Sequence, residues 1–201
     1  LTPRSLFLEW ASQQKSLKLE NFYRWQRMRL DVLIDGDKPL GGKWNLDSEN
    51  RLPPPKEPHP WPEYPHFNRD ELDNEVITDI SGLDLAGAID ETIWGTTRGA
   101  ALKQIDFFLS KSLADFGPYE DAIDKDVVIG YHSCCSALIN IGLLDPMELI
   151  NLTLKYYKTH KSTKIQSVEA YIRQVLSWRE FVRLLYTKEY KAFLDGNKFK
   201  H

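Results

Sequence analysis

The start of the chain carries apolar side chains that recur every three or four positions, which predicts a helix. Leu6, Phe7 and Trp10 form its apolar stripe. Thr2 is the expected N-cap, and Pro3 the expected first helical residue, because proline has no N–H to leave unpaired there.

A second helix is predicted around residues 19–33, where large apolar side chains alternate with arginines. These are Phe22, Trp25, Met28 and Leu30 beside Arg24, Arg27 and Arg29. Arginines interleaved with aromatic rings could stack on a nucleotide. The same mixture is typical of an amphipathic core helix with a basic outer face, and this interpretation is favoured.

Residues 36–75 are predicted to form an extended connector laid over the surface. Turns are expected at Asp35-Gly36-Asp37 and at Gly41-Gly42. Seven of the eleven prolines lie between Pro53 and Pro65, and such a segment cannot build a helix or an inner strand. Four aromatic side chains are expected to pin the connector by burying their rings: Trp44, Trp61, Tyr64 and Phe67.

From residue 71 onward the apolar spacing is helical. Thr96 or Thr97 is the expected N-cap of a helix that Gly117-Pro118 should end, with Tyr119 in a following loop. Asp145-Pro146-Met147-Glu148 predicts a new helix that runs to about Thr159.

A long final helix is predicted after a basic turn at residues 160–164. Its inner stripe consists of Ile165, Val168, Ile172, Val175 and Leu176. No convincing strand pattern is present, so the fold class is predicted to be all-α. Three parts are expected: a helical segment at 1–35, the connector at 36–75 and a helical domain at 76–201.

Composition changes this picture little. The chain has 201 residues, 42% hydrophobic content and a formal net charge of −3, which supports a real core. No apolar run is long enough to span a membrane, so no membrane partner is expected. Two adjacent cysteines fit no disulfide or zinc pattern and indicate a reducing, cytoplasmic setting. The start at Leu1, without Met or signal pattern, is typical of a piece of a longer protein.

Charge is distributed unevenly along the chain. Residues 63–127 hold 15 acidic against 5 basic residues, a net of −10, and residues 153–201 hold 11 Lys or Arg against 4 Asp or Glu, a net of +7. A basic last third could contact phosphates, including those of nucleic acid. It could equally be a solvated surface that pairs with the acidic middle, and charge alone does not decide between the two.

The stretch from Tyr131 to Leu144 is the main candidate for chemistry. Hydrogen-bonding side chains, His132 and Ser133 among them, run straight into an apolar helical segment. A helix start exposes unpaired N–H groups and the positive end of the helix dipole, which together favour an anion such as phosphate. The alternative is an ordinary serine N-cap on a core helix.

Several motifs in the chain resemble the photolyase/cryptochrome flavoprotein family. Trp178-Arg179-Glu180-Phe181 and His132-Ser133-x-x-Ser136-Ala137-x-Ile139-x-x-Gly142-x-Leu144 are similar to two of its motifs. Further segments are similar to the bacterial and archaeal photolyase-related, or iron–sulfur, branch: Phe22-Tyr23-Arg24, the run Gly41 to Arg51, Phe116-Gly117-Pro118-Tyr119 and Ile172-Arg173-Gln174. The resemblance covers nearly the whole chain.

The resemblance implies the first half of a helical FAD-binding domain in a light-driven DNA-repair enzyme. FAD would be held by Tyr119, His132, Ser133, Ser136 and Gln174, with Ser133 and Ser136 at its diphosphate. Gln174 lies near the position at which other members place a cofactor-bonding Glu, with one extra residue before Trp178. The two cysteines occupy variable positions and are expected to be structural.

Trp178 and Arg179 match residues at the mouth of the flavin pocket, where a flipped lesion of UV-damaged DNA docks. The repaired lesion would be a pyrimidine dimer or a six-four photoproduct. Glu180 is expected to pair with a neighbouring arginine or to cap a backbone group. Lysines and arginines between Lys155 and Arg183 could form part of a basic rim for DNA.

In the family, an antenna domain with its pigment precedes this region, and the iron–sulfur cluster lies in the C-terminal half. Neither is expected within this chain, and no metal site or catalytic residue is assigned to it. The fragment alone is expected to be inactive and monomeric. A cryptochrome-type photoreceptor and a flavin-free helical interaction module are the alternative functions.

Overall fold

The computed structural model describes residues 1–54, 61–86 and 94–199. Its helices are α1 (Arg4–Ser12), α2 (Leu19–Leu30), α3 (Glu71–Ile80), α4 (Arg98–Phe107), α5 (Leu113–Tyr119), α6 (Ser136–Asn140), α7 (Pro146–Thr159), α8 (Ile165–Arg173) and α9 (Arg179–Asp195). Two π-helical segments, Phe108–Ser112 and Gln174–Trp178, join α4 to α5 and α8 to α9. The predicted all-α class is confirmed.

Helix α1 begins one residue later than predicted, because Thr2 does not cap it. Pro3 is the N-cap residue, and it makes no side-chain capping hydrogen bond to the helix. The Thr2 hydroxyl instead accepts a hydrogen bond from Gln26 Nε2 at 2.6 Å. Thr2 thus joins α1 to α2, a tertiary role that no local pattern indicates.

Helix α2 ends at Leu30, three residues before the predicted end. Asp31 and Leu33 adopt left-handed backbone conformations, with φ of 53° and 54°, which an α-helix cannot contain. The expected basic outer face is wrong for Arg27, which is fully buried, while Arg24 is exposed. Arg27 donates to three backbone carbonyls that follow the helix, those of Val32, Leu33 and Trp44.

An aromatic cluster packs α1 and α2 against α9. Phe22 contacts Phe7, Trp10 and Phe181 with ring-centroid separations of 5.7, 5.3 and 5.5 Å. Edge-to-face and tilted ring contacts of this kind add to the free energy of burial. The beginning of the chain is therefore held against the helix that carries the Trp-Arg-Glu-Phe motif.

The connector follows the prediction in part. It is mainly irregular, but a two-stranded antiparallel ladder forms between β1 (Ile34–Asp35) and β2 (Lys38–Pro39), and a 3₁₀ turn spans Asp47–Glu49. Trp61 packs on Tyr131, with ring centroids 5.0 Å apart, as expected of an aromatic side chain that pins the connector.

Residues 55–60 of the connector and residues 87–93 of the third predicted part lie outside the described residues. Helix α3 runs across the predicted boundary at residue 75, and the division into three parts stays a prediction.

Two predicted helix starts are confirmed. The Thr97 hydroxyl accepts from the Ala100 N–H at 3.2 Å and caps α4. The Asp145 carboxylate accepts from the N–H groups of Met147 and Glu148 at 2.8 and 3.2 Å, and α7 runs to Thr159 as predicted. Both caps arise from a polar side chain just before an apolar helix, a signal that is local in sequence.

The predicted helix end at Gly117-Pro118 is wrong, because α5 continues through both residues to Tyr119. Pro118 has no N–H to donate to the carbonyl of Ala114, one turn earlier. The Ser167 hydroxyl of α8 donates to that carbonyl at 2.8 Å and accepts from the Gly117 N–H at 3.2 Å. A neighbouring helix thus replaces the hydrogen bond that proline removes.

No helix among the described residues has both the length and the apolar run that crossing a membrane requires.

The acidic middle and the basic last third do contact each other, since Arg173 Nη2 lies 3.1 Å from Glu120 Oε1. The exposed side chains of Lys155, Lys158, Lys161 and Lys164 form no ion pair with the described residues. The expected pairing of the two regions is therefore confirmed at Arg173 and Glu120, and phosphate contact by the basic last third stays a prediction.

Candidate functional site

Of the two predicted phosphate-binding serines, Ser133 lies in the loop before α6 and Ser136 is the first residue of α6. Cys134 has φ of 53°, so the chain turns sharply before α6. The Ser133 hydroxyl accepts from the Cys135 N–H at 3.3 Å, and the Ser133 carbonyl accepts from Gln104 Nε2 at 2.8 Å. These bonds fix Ser133 beside α4.

The helical segment predicted after these side chains is present, but it is short. Helix α6 has five residues, and its N-cap residue, Cys135, makes no side-chain cap. Gly142, with φ of 82°, ends the segment, and the N–H groups of Leu143 and Leu144 return to the Leu138 carbonyl. One turn of helix has only a small dipole, so the field of α6 contributes little to anion binding.

A cleft of about 430 Å³ opens between this loop, α5 and α8. We call it the serine cleft; it is lined by Trp94, Phe116, Glu120, Asp121, His132, Ser133, Cys134, Cys135, Ser136, Tyr171 and Gln174. Four of the five predicted cofactor residues are among them: His132, Ser133, Ser136 and Gln174. The fold thus brings together residues from two distant parts of the sequence.

Tyr119, the fifth predicted cofactor residue, does not line this cleft. Its ring stacks on Tyr131 with centroids 5.6 Å apart. Tyr131 in turn packs against Trp61 of the connector. Burial, together with Asp115, raises the pKa of Tyr131 to about 12, so its phenol stays protonated at neutral pH. Because α5 extends to Tyr119, the ring is directed by the helix and not by a loop.

His132 lies at the edge of the serine cleft. Its ring meets Phe116 edge-to-face, with centroids 5.8 Å apart. Desolvation lowers its pKa from the ordinary value, although the Glu120 backbone and Asp121 act in the opposite direction. A neutral imidazole offers one donor and one acceptor, so His132 can hydrogen-bond a polar ligand at neutral pH.

Cys134 and Cys135 fit the structural role expected of them. Burial raises the pKa of the Cys134 thiol, and that of Cys135 to about 12. Cys135 Sγ contacts the Ser133 carbonyl at 3.4 Å. Within residues 1–54, 61–86 and 94–199, no three His, Cys, Asp or Glu side chains are grouped so that they could hold a metal ion.

Slow thiol alkylation is therefore expected in the native protein. Only the thiolate reacts, and raised pKa values reduce its fraction at pH 7.5. N-ethylmaleimide should label both cysteines at least about tenfold more slowly in the folded protein than in urea. Mass spectrometry of timed samples measures the two rates. Fast native labelling with a midpoint near pH 8.5, the value of a free thiol, would contradict the expectation.

A second cleft of about 400 Å³ adjoins the serine cleft. We call it the Trp178 cleft; it is lined by Leu19, Glu20, Tyr23, Asn45, Asp47, Glu120, Asp121, Arg173, Gln174, Ser177 and Trp178. Trp178 is 45% exposed, whereas the Ser177 hydroxyl is buried without a hydrogen-bond partner among the described residues. Glu120, Asp121 and Gln174 line both clefts.

A buried ion-pair network supports the wall between the clefts. Arg173 Nη2 lies 3.0 Å from Asp47 and 3.1 Å from Glu120, and its Nε lies 3.4 Å from Glu169. Burial alone would lower the pKa of Arg173, but these carboxylates raise it. Burial raises the pKa values of Glu120 and Glu169, an effect that Arg173 opposes. A hydrogen bond from Arg51 and the charge of Arg173 lower the pKa of Asp47.

Arg179 is turned away from both clefts. Its Nη1 donates to Glu180 Oε1 at 2.7 Å. Glu180 Oε2 also accepts from the Thr2 N–H at 3.0 Å and from Arg183 at 3.2 Å. Glu180 thus both pairs with an arginine and caps a backbone group, and Arg179 shares its carboxylate.

The π-helical turn at Gln174–Trp178 explains the extra residue before Trp178. A π turn holds one residue more than the α turn it replaces, and such turns are frequent at functional sites. The Arg179 N–H closes the turn on the Gln174 carbonyl. Gln174 and Trp178 consequently line the same cleft despite the insertion.

Sequence reasoning missed the residues that complete the clefts. Phe116 and Tyr171 are apolar side chains of the serine cleft, and Glu120 gives it a charged edge. Arg173, the ion-pair partner of Glu120, lines the Trp178 cleft. The helical spacing of Arg173 with Glu169 was the available signal, since residues four apart share a helix face. Their link to residues 47 and 120 depends on tertiary packing.

Residues 1–94 match the family model described as "Deoxyribodipyrimidine photo-lyase-related protein". Over 203 aligned positions the chain is 33% identical to a (6-4) photolyase of Agrobacterium fabrum, and the match covers 100% of this chain and 40% of that protein. Shorter matches reach two uncharacterized proteins of Acanthamoeba polyphaga mimivirus. One is 40% identical over 83 residues, covering 40% of this chain and 64% of that protein. The other is 52% identical over 31 residues, covering 15% and 16%.

The chain therefore spans less than half the length of the Agrobacterium protein that it resembles throughout. The family match at the start of the chain and the full-length similarity agree with each other, and both agree with the motifs at residues 132–144 and 178–181. Both comparisons support placing the chain among photolyase-related proteins, which it resembles over its whole length.

Proposed function

We propose that this chain forms one wall of the FAD-binding cleft of a photolyase that repairs UV-damaged DNA. The observation that carries the proposal is the convergence of His132, Ser133, Ser136 and Gln174 on the serine cleft. The first three lie in the loop before α6 and at its first residue, and Gln174 begins the π-helical segment between α8 and α9. Their convergence therefore depends on the fold and not on a local motif.

The lining of the serine cleft fits the uncharged portion of FAD. Phe116 and Tyr171 offer an apolar floor for a planar ring, and serine, histidine and amide groups offer polar contacts at its edges. The Tyr171 hydroxyl is buried beside the Ser133 and Cys135 side chains, so it supports the wall of the cleft from behind and is not itself offered to a ligand.

The diphosphate is less well matched. Glu120 and Asp121 line the cleft, whereas no lysine or arginine does among the described residues. Ser133 and Ser136 can donate hydroxyl hydrogen bonds to phosphate oxygens, but they supply no charge. We assign these two serines to the diphosphate and expect its charge to be balanced by groups that do not line this wall.

The residues of this chain bind and orient, and the cofactor carries the reaction. FAD supplies, when bound, the light-driven electron that splits a pyrimidine lesion. Gln174 and neutral His132 hold polar edges of the ligand, while Phe116 and Tyr171 exclude water from its face. No residue of the chain moves a proton or acts as a nucleophile in this account.

DNA would approach along the face that bears Trp178. This ring is exposed at the edge of the Trp178 cleft, where it can stack on a base taken out of the duplex. The exposed lysines at 155, 158, 161 and 164, which form no ion pair within the described part of the chain, would provide charge for phosphate contacts. Arg179 contributes less than expected, because Glu180 already holds its guanidinium.

The similarity to a (6-4) photolyase runs along the whole of this chain. It favours repair over cryptochrome-type signalling, and it favours a six-four photoproduct as the lesion. The polar, aromatic-floored cleft favours a cofactor protein over a flavin-free interaction module.

Light-dependent repair in the protein that carries this chain tests the proposal. Wild type should copurify with FAD and restore six-four-damaged DNA under blue light. Trp178→Ala should lower repair by about tenfold or more, the loss expected for one base–aromatic stack, without loss of FAD. Tyr190→Ala is the matched control, since Tyr190 is 47% exposed on the same helix outside both clefts. A protein without flavin that ignores irradiated DNA would refute the proposal.

A further inference from the structure

Gln174 occupies the boundary between the serine cleft and the Trp178 cleft. A glutamine amide can present either its NH₂ donors or its carbonyl acceptor to a ligand, depending on how the group is turned. The direction in which Gln174 is turned therefore decides what a ligand at this boundary must offer. Neighbouring hydrogen bonds fix that direction.

Glu120 is the neighbour that sets it. Gln174 Nε2 donates to Glu120 Oε2 at 3.3 Å, while Glu120 Oε1 accepts from Arg173 Nη2 at 3.1 Å. The Glu120 side chain is 4% exposed and that of Arg173 is 7% exposed, so water competes little for these bonds. Arg173 is itself held by Asp47 and Glu169.

Both Glu120 oxygens accept here, Oε1 from Arg173 and Oε2 from Gln174. Burial raises the pKa of this carboxyl, and Arg173, which favours the ionised, acceptor-only form, opposes that shift. The amide of Gln174 must therefore turn its NH₂ group toward Glu120. Its carbonyl oxygen is left without a hydrogen bond from any described residue.

We propose that Glu120 is a positioning residue that presents the Gln174 carbonyl to the ligand, so that the ligand must offer an N–H or O–H donor there. This inference rests on the proposed function, because FAD is the ligand considered. FAD offers such donors at the ring imide N–H, at its ribityl and ribose hydroxyls and at the adenine amino group. Ligands that offer only acceptors at this position are disfavoured, since two acceptors would face each other.

Exchange of the two side chains tests the pairing. In Glu120→Gln the amide at 174 loses its fixed direction, and FAD affinity should fall about three- to tenfold, as for one hydrogen bond. In Gln174→Glu two carboxylates face each other, and affinity should fall at least as far. The double variant restores a donor at 120 and an acceptor at 174, so its affinity should exceed that of either single variant.

Matched controls are Glu75→Gln on α3 and Gln166→Met on α8, neither of which lines a cleft. Their FAD affinity should equal that of wild type. A purely structural role predicts additive losses, because exchanging the pair would then damage both positions. Additive losses, or an unchanged affinity in Glu120→Gln, would overturn the inference.

The same four proteins are compared by urea unfolding without FAD. The double variant should recover stability lost in the single variants, and strict additivity would overturn the pairing even if FAD did not bind. If wild type did not bind FAD but the double variant still recovered stability, the proposed function would be refuted and the pairing of Glu120 with Gln174 would stand. 3-Methyl-FAD, which lacks the ring imide N–H, tests whether that group is the donor. If it binds more weakly than FAD to wild type but equally to Gln174→Met, the ring imide is the donor. If it binds wild type as tightly as FAD does, the donor is one of the other N–H or O–H groups of FAD.

Discussion

Arg27→Met is expected to lower the free energy of unfolding by about 2–4 kcal/mol, since it leaves buried carbonyls without a donor. Arg27 is fully buried on α2. Its Nε donates to the Val32 carbonyl at 3.2 Å, its Nη1 to the Trp44 carbonyl at 2.9 Å, and its Nη2 to the Leu33 carbonyl. Of these three carbonyls, only that of Leu33 has a second donor among the described residues, the Leu40 N–H at 2.8 Å.

The effect is large because the guanidinium also lies between two rings. It sits 5.4 Å from the centroid of Tyr23 and 5.3 Å from that of Trp44. A lysine could not replace it, since a single ammonium cannot reach three carbonyls in a fixed plane. Arg27 thus fastens the left-handed turn after α2 and the start of the connector to the helix.

Urea unfolding followed by circular dichroism measures the change. Arg24→Met is the matched control, because Arg24 lies on the same helix and faces the same Trp44 ring at 5.8 Å. Its side chain is 50% exposed and pairs with Glu20 at 3.5 Å, so its loss should cost less than about 1 kcal/mol. Equal losses in both variants would contradict the buried role of Arg27.

Gly117→Ala is the second change with a large expected effect, a loss of about 2–3 kcal/mol. A Cβ at Gly117 would lie 2.6 Å from Ser167 Oγ and 2.8 Å from Ser167 Cα. The hydroxyl could rotate away, but the backbone atom could not, so α5 and α8 would have to separate. The hydrogen bond from Ser167 to the Ala114 carbonyl, which compensates for Pro118, would be lost with that movement.

Gly99→Ala is the control. Gly99 lies in α4, where a Cβ would come only to 4.0 Å of the Thr97 hydroxyl. Alanine favours helix over glycine, so this variant should gain about 0.5–1 kcal/mol. Thermal unfolding of the two variants should therefore shift in opposite directions. A neutral or stabilising Gly117→Ala would show that α5 and α8 are not in the close contact described.

These residues show where sequence reasoning succeeds and where it fails. Thr97 and Asp145 were predicted correctly as caps, because a cap acts on backbone groups two or three residues away. Gly117-Pro118 carries an equally clear local signal, a helix end, yet α5 continues because Ser167 supplies the missing hydrogen bond. A local rule cannot include a donor that lies 50 residues further along the chain.

The candidate site divides in the same way. His132, Ser133, Ser136 and Gln174 were predicted from motifs and do line one cleft. Glu120 and Arg173 were missed, because a buried ion pair between separate helices leaves no periodic pattern. Arg27 was assigned to a solvated face, since amphipathic spacing describes the side of a helix and not the carbonyls of the turn that follows. What sequence could not provide was the partner of each polar group.

The central claim is that FAD binds in the serine cleft, and chemical-shift mapping tests it most directly. Titration of ¹⁵N-labelled protein with FAD should move the backbone signals of His132, Ser133 and Ser136 together with the side-chain amide of Gln174. Signals of α3, which lies outside both clefts, should stay in place. Shifts confined to the surface around Trp61 and Phe107, or no shifts at saturating FAD, would contradict the claim.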